Sequence, residues 1–201
     1  KDRYLILAAA DCTGHGVPGA FMSMLGIAFL NEIVGRNTEL EAHSILQQLR
    51  HNVIKALNQE EGADTTKDGM DIALLLVDFE TKTLQYSGAY NPLYLLRQGE
   101  IAEYKADRMP IGVHSRDTEP LTNHIIPLLE GDQLYIFTDG FSDQFGGDQG
   151  KKMNYTRFKS LLKGQENQLP AAQRTHLLRA FEDWKGNHEQ LDDVLVIGIT
   201  V

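Results

Sequence analysis

Apolar residues fall into strand-sized and helix-sized runs along this chain. Residues 4–10 are a continuous apolar run that stops at Asp11, the pattern of a buried strand. A glycine-rich turn follows, Asp11-Cys12-Thr13-Gly14-His15-Gly16-Val17-Pro18-Gly19. The spacing then predicts a helix over about 18–35, with Pro18 in its first turn and Gly35 as its C-cap. Its centre, Ala20 to Leu30, is apolar nearly all round. That predicts a buried helix, with Phe21, Met22, Met24 and Phe29 in the core. A second helix is expected from Thr38, where Thr38-Glu39-Leu40-Glu41 has capping-box spacing. Leu46, Leu49, Val53 and Leu57 give it one apolar stripe. Residues 58–69 read as a polar loop.

The middle of the chain reads as antiparallel β. Strands are predicted over about 71–78 and 83–88, then 93–97 and 101–104, each pair joined by a short polar turn. Strands over about 123–128 and 133–138 flank a turn at Glu130-Gly131-Asp132, and an irregular stretch, 105–122, precedes them. A glycine-rich loop over 141–154 reads as mobile and suited to a flap. Helices are predicted over about 155–163 and 171–185, and a last strand from Val194 to Val201. Strands clustered between helical pairs imply one α+β layered domain.

Composition narrows the class. The chain has 201 residues and a formal charge of -9. With a pI near 5.2, a nucleic-acid partner is not expected. A single cysteine excludes an internal disulfide and a cysteine-built zinc site, and fits a reducing compartment. Unbroken apolar runs, the longest being Tyr4–Ala10 and Ile72–Val77, stay far below the roughly 18 residues of a membrane span. No membrane insertion by this segment is therefore expected. Lys1 leading straight into an apolar run reads as the start of a fragment.

Three carboxylate positions share one arrangement. Asp11 follows a strand, Asp139 follows another, and Asp192-Asp193 precedes the last. With suitable strand directions they would meet at one sheet edge, where their charge needs a cation. Hard oxygen ligands select magnesium, manganese or calcium. A pair of such ions would stabilise both attacking and leaving oxygens of a phosphoryl group.

Asp11-Cys12-Thr13-Gly14-His15-Gly16, Thr138-Asp139-Gly140 and Asp192-Asp193-Val194-Leu195-Val196 resemble, in order, the motifs of PPM-superfamily metal-dependent protein phosphatases. The resemblance is nearest to the SpoIIE-type, type-2C-like branch. Asp68-Gly69-Met70-Asp71, Gly88-Ala89-Tyr90-Asn91-Pro92-Leu93 and Met109-Pro110-Ile111-Gly112 extend it over the whole chain. It implies an αββα sandwich of two antiparallel sheets and two Mn²⁺ or Mg²⁺ ions. In that pattern Asp11 bridges the ions and Cys12 lends its backbone carbonyl. Asp139 and Asp192 complete one shell, with Asp193 as second choice. His15 matches a histidine taken as general acid. The implied reaction is hydrolysis of phosphoserine or phosphothreonine by a metal-activated water.

The resemblance further implies a cytoplasmic output domain of a bacterial signalling protein, whose parent protein can be membrane-anchored. It implies an anti-anti-sigma-like phosphoprotein substrate, an upstream sensor or receiver domain, and pairing into a homodimer. The two N-terminal helices are then a plausible switch. The family also has an acidic residue on a strand preceding the one that opens this chain, so the domain is expected to be N-terminally incomplete. Asp143 matches a further metal ligand of some type-2C relatives, but its companion would fall near Gly88-Ala89, so it reads as structural. Asp71 reads as a group lying behind the ligands. Cys12 reads as a small, inert buried residue. A non-catalytic regulatory domain of the same fold is the alternative. An aspartyl-phosphate mechanism at Asp139 is set aside, because positions 137 and 141 are both Phe.

Overall fold

In chain order the elements are β1 (Tyr4–Cys12), α1 (Gly16–Arg36), α2 (Ala42–Ala56), β2 (Met70–Asp78), β3 (Thr83–Ala89), β4 (Leu93–Arg97) and β5 (Glu100–Tyr104). They continue with β6 (His124–Pro127), β7 (Gln133–Phe137), α3 (Gly140–Asp143), β8 (Phe145–Gly146), β9 (Lys151–Lys152), α4 (Asn154–Lys163), α5 (Pro170–Lys185) and β10 (Val196–Thr200). This computed structural model describes residues 3–59, 68–116, 118–165 and 168–201. Most of the expected 58–69 loop, residues 60–67, lies outside them. The fold is α+β with antiparallel sheets, and the chain forms two units, Lys1–Pro92 with Lys105–Leu128 and Leu93–Tyr104 with Leu129–Val201.

The first unit is built on the sheet β1-β2-β3-β6. Every strand pair in it is antiparallel. β2 carries the unbroken apolar run Ile72–Val77, and nearly all of the strand is buried. Its alternate residues Ile72, Leu74 and Leu76 pack against Ile45, Leu46, Leu49 and Val53 of α2, the period of two expected of a strand face. Each such side chain contributes about 1.5–3 kcal/mol on full burial. Within the irregular stretch 105–122, Met109 and Ile111 are tied to the sheet and its core. Ile111 exchanges backbone hydrogen bonds with Met70 (2.8 and 3.1 Å), and both Met109 and Ile111 are buried. Arg50, itself buried, donates from α2 to the Glu119 carbonyl at 2.6 Å.

Helix α1 departs from expectation. It buries only Gly19, Met22, Gly26 and Ile33, a narrow stripe dominated by small residues. Phe21 and Met24, expected in the core, are 59% and 69% exposed, as are Val17 and Ile27 at more than half. An apolar composition all round did not distinguish the docking stripe from the free face. At 21 residues, α1 is also long and apolar enough to cross a membrane by length and composition alone. Counting unbroken runs missed this, because Gly19, Ser23 and Gly26 interrupt them. Gly35 lies inside the helix, whose C-cap is Asn37, and α2 begins at Ala42 with Glu41 rather than Thr38 as N-cap.

The second unit is built on the antiparallel sheet β10-β7-β4-β5. Phe137 of β7 meets Phe158 of α4 edge-on at 5.0 Å, and Phe141 meets the same ring at 4.7 Å. Leu162, Leu177 and Phe181 close this core. The two strands expected over 123–128 and 133–138 form but do not pair with each other. β6 pairs with β3, and β7 pairs with β4 and β10, so the chain changes sheets between them.

Candidate metal centre

Asp11 and Cys12 are the last residues of β1, and His15 is the N-cap of α1. The turn between them depends on Gly14 and Gly16, both at positive φ (90° and 65°), where other residues are strained. Thr13 anchors it. Its amide and hydroxyl both donate to the Gly69 carbonyl (2.9 and 3.1 Å), and the Gly69 amide donates back to the hydroxyl at 3.2 Å. The β1–β2 register sets Asp71 directly across from Asp11. Directly paired residues share a sheet face about 5 Å apart, and like charges there repel. This end of the first sheet therefore carries two facing carboxylates. The imidazole of His15 is exposed and makes no capping bond. Burial pushes the Cys12 thiol pKa up, and Asp11 pushes the same way against a hydrogen bond with Ser23. Cys12 thus remains a thiol at neutral pH.

In the second unit, β7 and β10 run antiparallel, so the residues leaving β7 lie beside those entering β10. Thr138 stitches the two segments together. Its hydroxyl donates to the Asp193 carbonyl at 3.2 Å and accepts from the Leu195 amide at 3.1 Å. Its own amide donates to the Leu195 carbonyl at 3.1 Å. Gly140 permits this approach, since a Cβ there would lie 2.4 Å from the Asp193 oxygen. Carboxylate oxygens of Asp139 and Asp192 come within 4.8 Å of each other. The Asp193 amide donates to Asp192 Oδ1 at 2.8 Å, and the Gln190 side chain donates to the Asp192 carbonyl at 2.9 Å. Asp192 thus turns its carboxylate toward Asp139, while Asp193 contributes its backbone to Thr138.

The electrostatics of this corner call for a cation. Burial raises the Asp139 pKa, Asp143 and Asp192 raise it further, and Lys152 pulls it partly back. Asp139 Oδ1 is buried and finds no hydrogen-bond partner among the described residues. A buried acceptor left in that state is costly. A hard divalent ion satisfies both the orphaned oxygen and the excess charge, so the residues present fit the metal that the motifs imply.

A family model described as Stage II sporulation protein E (SpoIIE) matches residues 1–201. This chain belongs to the SpoIIE family. Its structural neighbours are PP2C-type phosphatase domains. The SiaA-PP2C domain of Pseudomonas aeruginosa is 28% identical, with a TM-score of 0.86 over 98% of this chain and 79% of that one. The PP2C phosphatase domain of SpoIIE from Bacillus subtilis, solved with a fragment of its regulatory domain, is 16% identical with a TM-score of 0.75. There the alignment covers 99% of this chain and 55% of that one, so this chain spans about half its length. RsbX, solved in complex with magnesium, is 16% identical with a TM-score of 0.62, covering 98% and 81% of the two chains. No curated protein sequence matches this chain.

Some features of this SpoIIE-family site were not legible from motifs. Asp71, read from sequence as a group behind the ligands, faces Asp11 in the register, and an antiparallel pairing of the first two predicted strands would have revealed it. The flap region 141–154 is not a loose loop. It holds α3 and a two-residue ribbon, β8 with β9. Its base is pinned by the Gln144 side chain to the Glu189 carbonyl (2.8 Å) and by the Trp184 indole N–H to the Gln144 carbonyl (3.0 Å). Lys152, at the end of that ribbon, pairs with Asp143 at 2.6 Å.

Proposed function

We propose that this chain is a Mn²⁺- or Mg²⁺-dependent phosphoserine/phosphothreonine protein phosphatase. It would be the cytoplasmic output domain of a bacterial signalling protein, acting on an anti-anti-sigma-like phosphoprotein under an upstream sensor or receiver domain and pairing into a homodimer. The observation that carries the reading is the buried, unpartnered Asp139 oxygen beside Asp192. Membership of a family of PP2C-type domains, with a magnesium-bound neighbour in RsbX, supports the same chemistry.

In this reading Asp11, the Cys12 carbonyl, Asp139 and Asp192 hold two ions, with Asp193 as the alternate carboxylate. Bound ions of this kind polarise the phosphoryl oxygens and lower the pKa of an attacking water. Thr138 and Gly140 keep Asp139 and Asp192 at a fixed separation, so positioning does not have to be achieved anew at each turnover. Asp71 adds negative charge beside Asp11. His15, with no capping duty, donates a proton to the leaving alkoxide. A histidine is suited to that task near neutral pH.

The test is phosphate release from a phosphoserine protein with added Mn²⁺ and with chelator. Activity is expected only with metal, and Asp139→Asn should abolish it while circular dichroism shows an intact fold. Metal-independent release, or full activity in that variant, would overturn the assignment.

A further inference from the structure

Asp143 follows Asp139 by one helical turn, its amide donating to the Asp139 carbonyl at 2.9 Å, and carboxylate oxygens of Asp139 and Asp192 lie within 4.8 Å of each other. The chain brings its own cation to them. Lys152 Nζ donates to Asp143 Oδ2 at 2.6 Å, and its charge is also felt at Asp139. The lysine is placed with some care. β8 and β9 pair Lys152 with Phe145 and Lys151 with Gly146, so neighbouring lysines project to opposite faces of the ribbon. The ammonium of Lys152 lies 6.0 Å from the Phe145 ring centre. The ribbon's base is fixed through Gln144, Trp184 and the amide of Met153, which donates to the Gln144 carbonyl at 2.9 Å. The ammonium is therefore delivered by an anchored element, not by a side chain wandering over the surface.

We propose that Lys152 is a tethered counter-ion that keeps Asp143 out of the metal-ligand set and so limits how many divalent ions this corner takes. The inference rests on the metal-dependent reading of Asp139 and Asp192. With Lys152 in place, the three carboxylates and one ammonium carry a formal charge of -2, which a single divalent ion balances. Without it, Asp143 is a free hard-oxygen group one helical turn from Asp139, and another ion is drawn in. Lys152 is a positioning residue, since it acts through Asp143 and not on the reacting atoms.

The experiment counts Mn²⁺ bound per chain at equilibrium, using the electron paramagnetic resonance signal of the free ion. Lys152→Gln should bind one more ion than the wild type. Lys152→Arg should keep the wild-type count. The double variant Lys152→Gln/Asp143→Asn should lose the extra ion. An unchanged count in Lys152→Gln, or an extra ion that survives in the double variant, overturns the role of the lysine alone. A wild type that binds no Mn²⁺ overturns both this role and the metal-dependent reading. Thermal melts of all variants without metal show whether each is folded, which a count of ions does not.

Discussion

The side-chain hydroxyl of Thr138 is hydrogen-bonded to the backbone on either side of Val194, donating to Asp193 and accepting from Leu195. One buried hydroxyl thereby joins the end of β7 to the entry of β10, and with them the segments that carry Asp139 and Asp192. Thr138→Val keeps the shape and loses both bonds. The expected cost is about 1–3 kcal/mol of stability and a roughly 10–100-fold weaker affinity for Mn²⁺. Thr138→Ser should restore most of both. Urea unfolding and a Mn²⁺ titration measure them, and an unaltered Mn²⁺ affinity in the valine variant would show that the stitch does not position the site.

Glycines at two positions should respond in opposite directions. At Gly140 a methyl group would collide with the Asp193 carbonyl, so Gly140→Ala should cost about 1–3 kcal/mol from overpacking and weaken metal binding with it. At Gly35, inside α1, a Cβ would meet nothing within 4 Å. Gly35→Ala should therefore stabilise by roughly 0.5–1 kcal/mol through helix propensity. Melting temperatures of the two variants against wild type check the signs.

A pH dependence follows from Arg97 and Asp132. The guanidinium grips the carboxylate through Nε (2.7 Å) and Nη2 (2.6 Å), and the Leu129 amide adds a third bond at 2.8 Å. Burial alone pushes the Asp132 carboxyl up. The Arg97 fork, the Leu129 amide and the arginine's charge outweigh it and hold the carboxyl below its ordinary range. A depressed folded pKa stabilises the native state above the unfolded value, near ~3.9. That contribution is lost as pH falls through the folded pKa. Asp132→Asn should cost about 1.5–3 kcal/mol at pH 7 and lose less stability than wild type on acidification below about pH 4. Parallel urea midpoints at pH 7 and pH 3 test this, and equal losses in the two proteins would contradict it.

Much of this architecture was readable before any coordinates. The strands expected over about 71–78 and 83–88 form as Met70–Asp78 and Thr83–Ala89, because strand-forming stretches bounded by short polar turns leave a visible pattern. Asp11, Asp139 and Asp192 stood out because each sits where a strand meets a glycine-containing or acidic motif. What failed did so for physical reasons. Helix α1 docks through a stripe of small residues, which hydrophobicity counts do not weight, so Phe21 and Met24 were placed inside and lie outside. The partners of the strands flanking Glu130-Gly131-Asp132 were not legible, because adjacency in sequence does not determine which sheet a strand joins, and β6 and β7 part there. The partnership of Lys152 with Asp143 was not legible because it spans nine positions and a chain reversal.

The most direct check of the central claim is an anomalous-scattering map from crystals of the protein soaked in Mn²⁺. The account predicts peaks bonded to carboxylate oxygens of Asp11, Asp139 and Asp192 at about 2.1 Å, the range of a hard ion with oxygen ligands. It also predicts that the peak at Asp139 vanishes in Asp139→Asn crystals. Manganese bound elsewhere with these three carboxylates left bare, or a peak at Asp139 that survives the substitution, would contradict it.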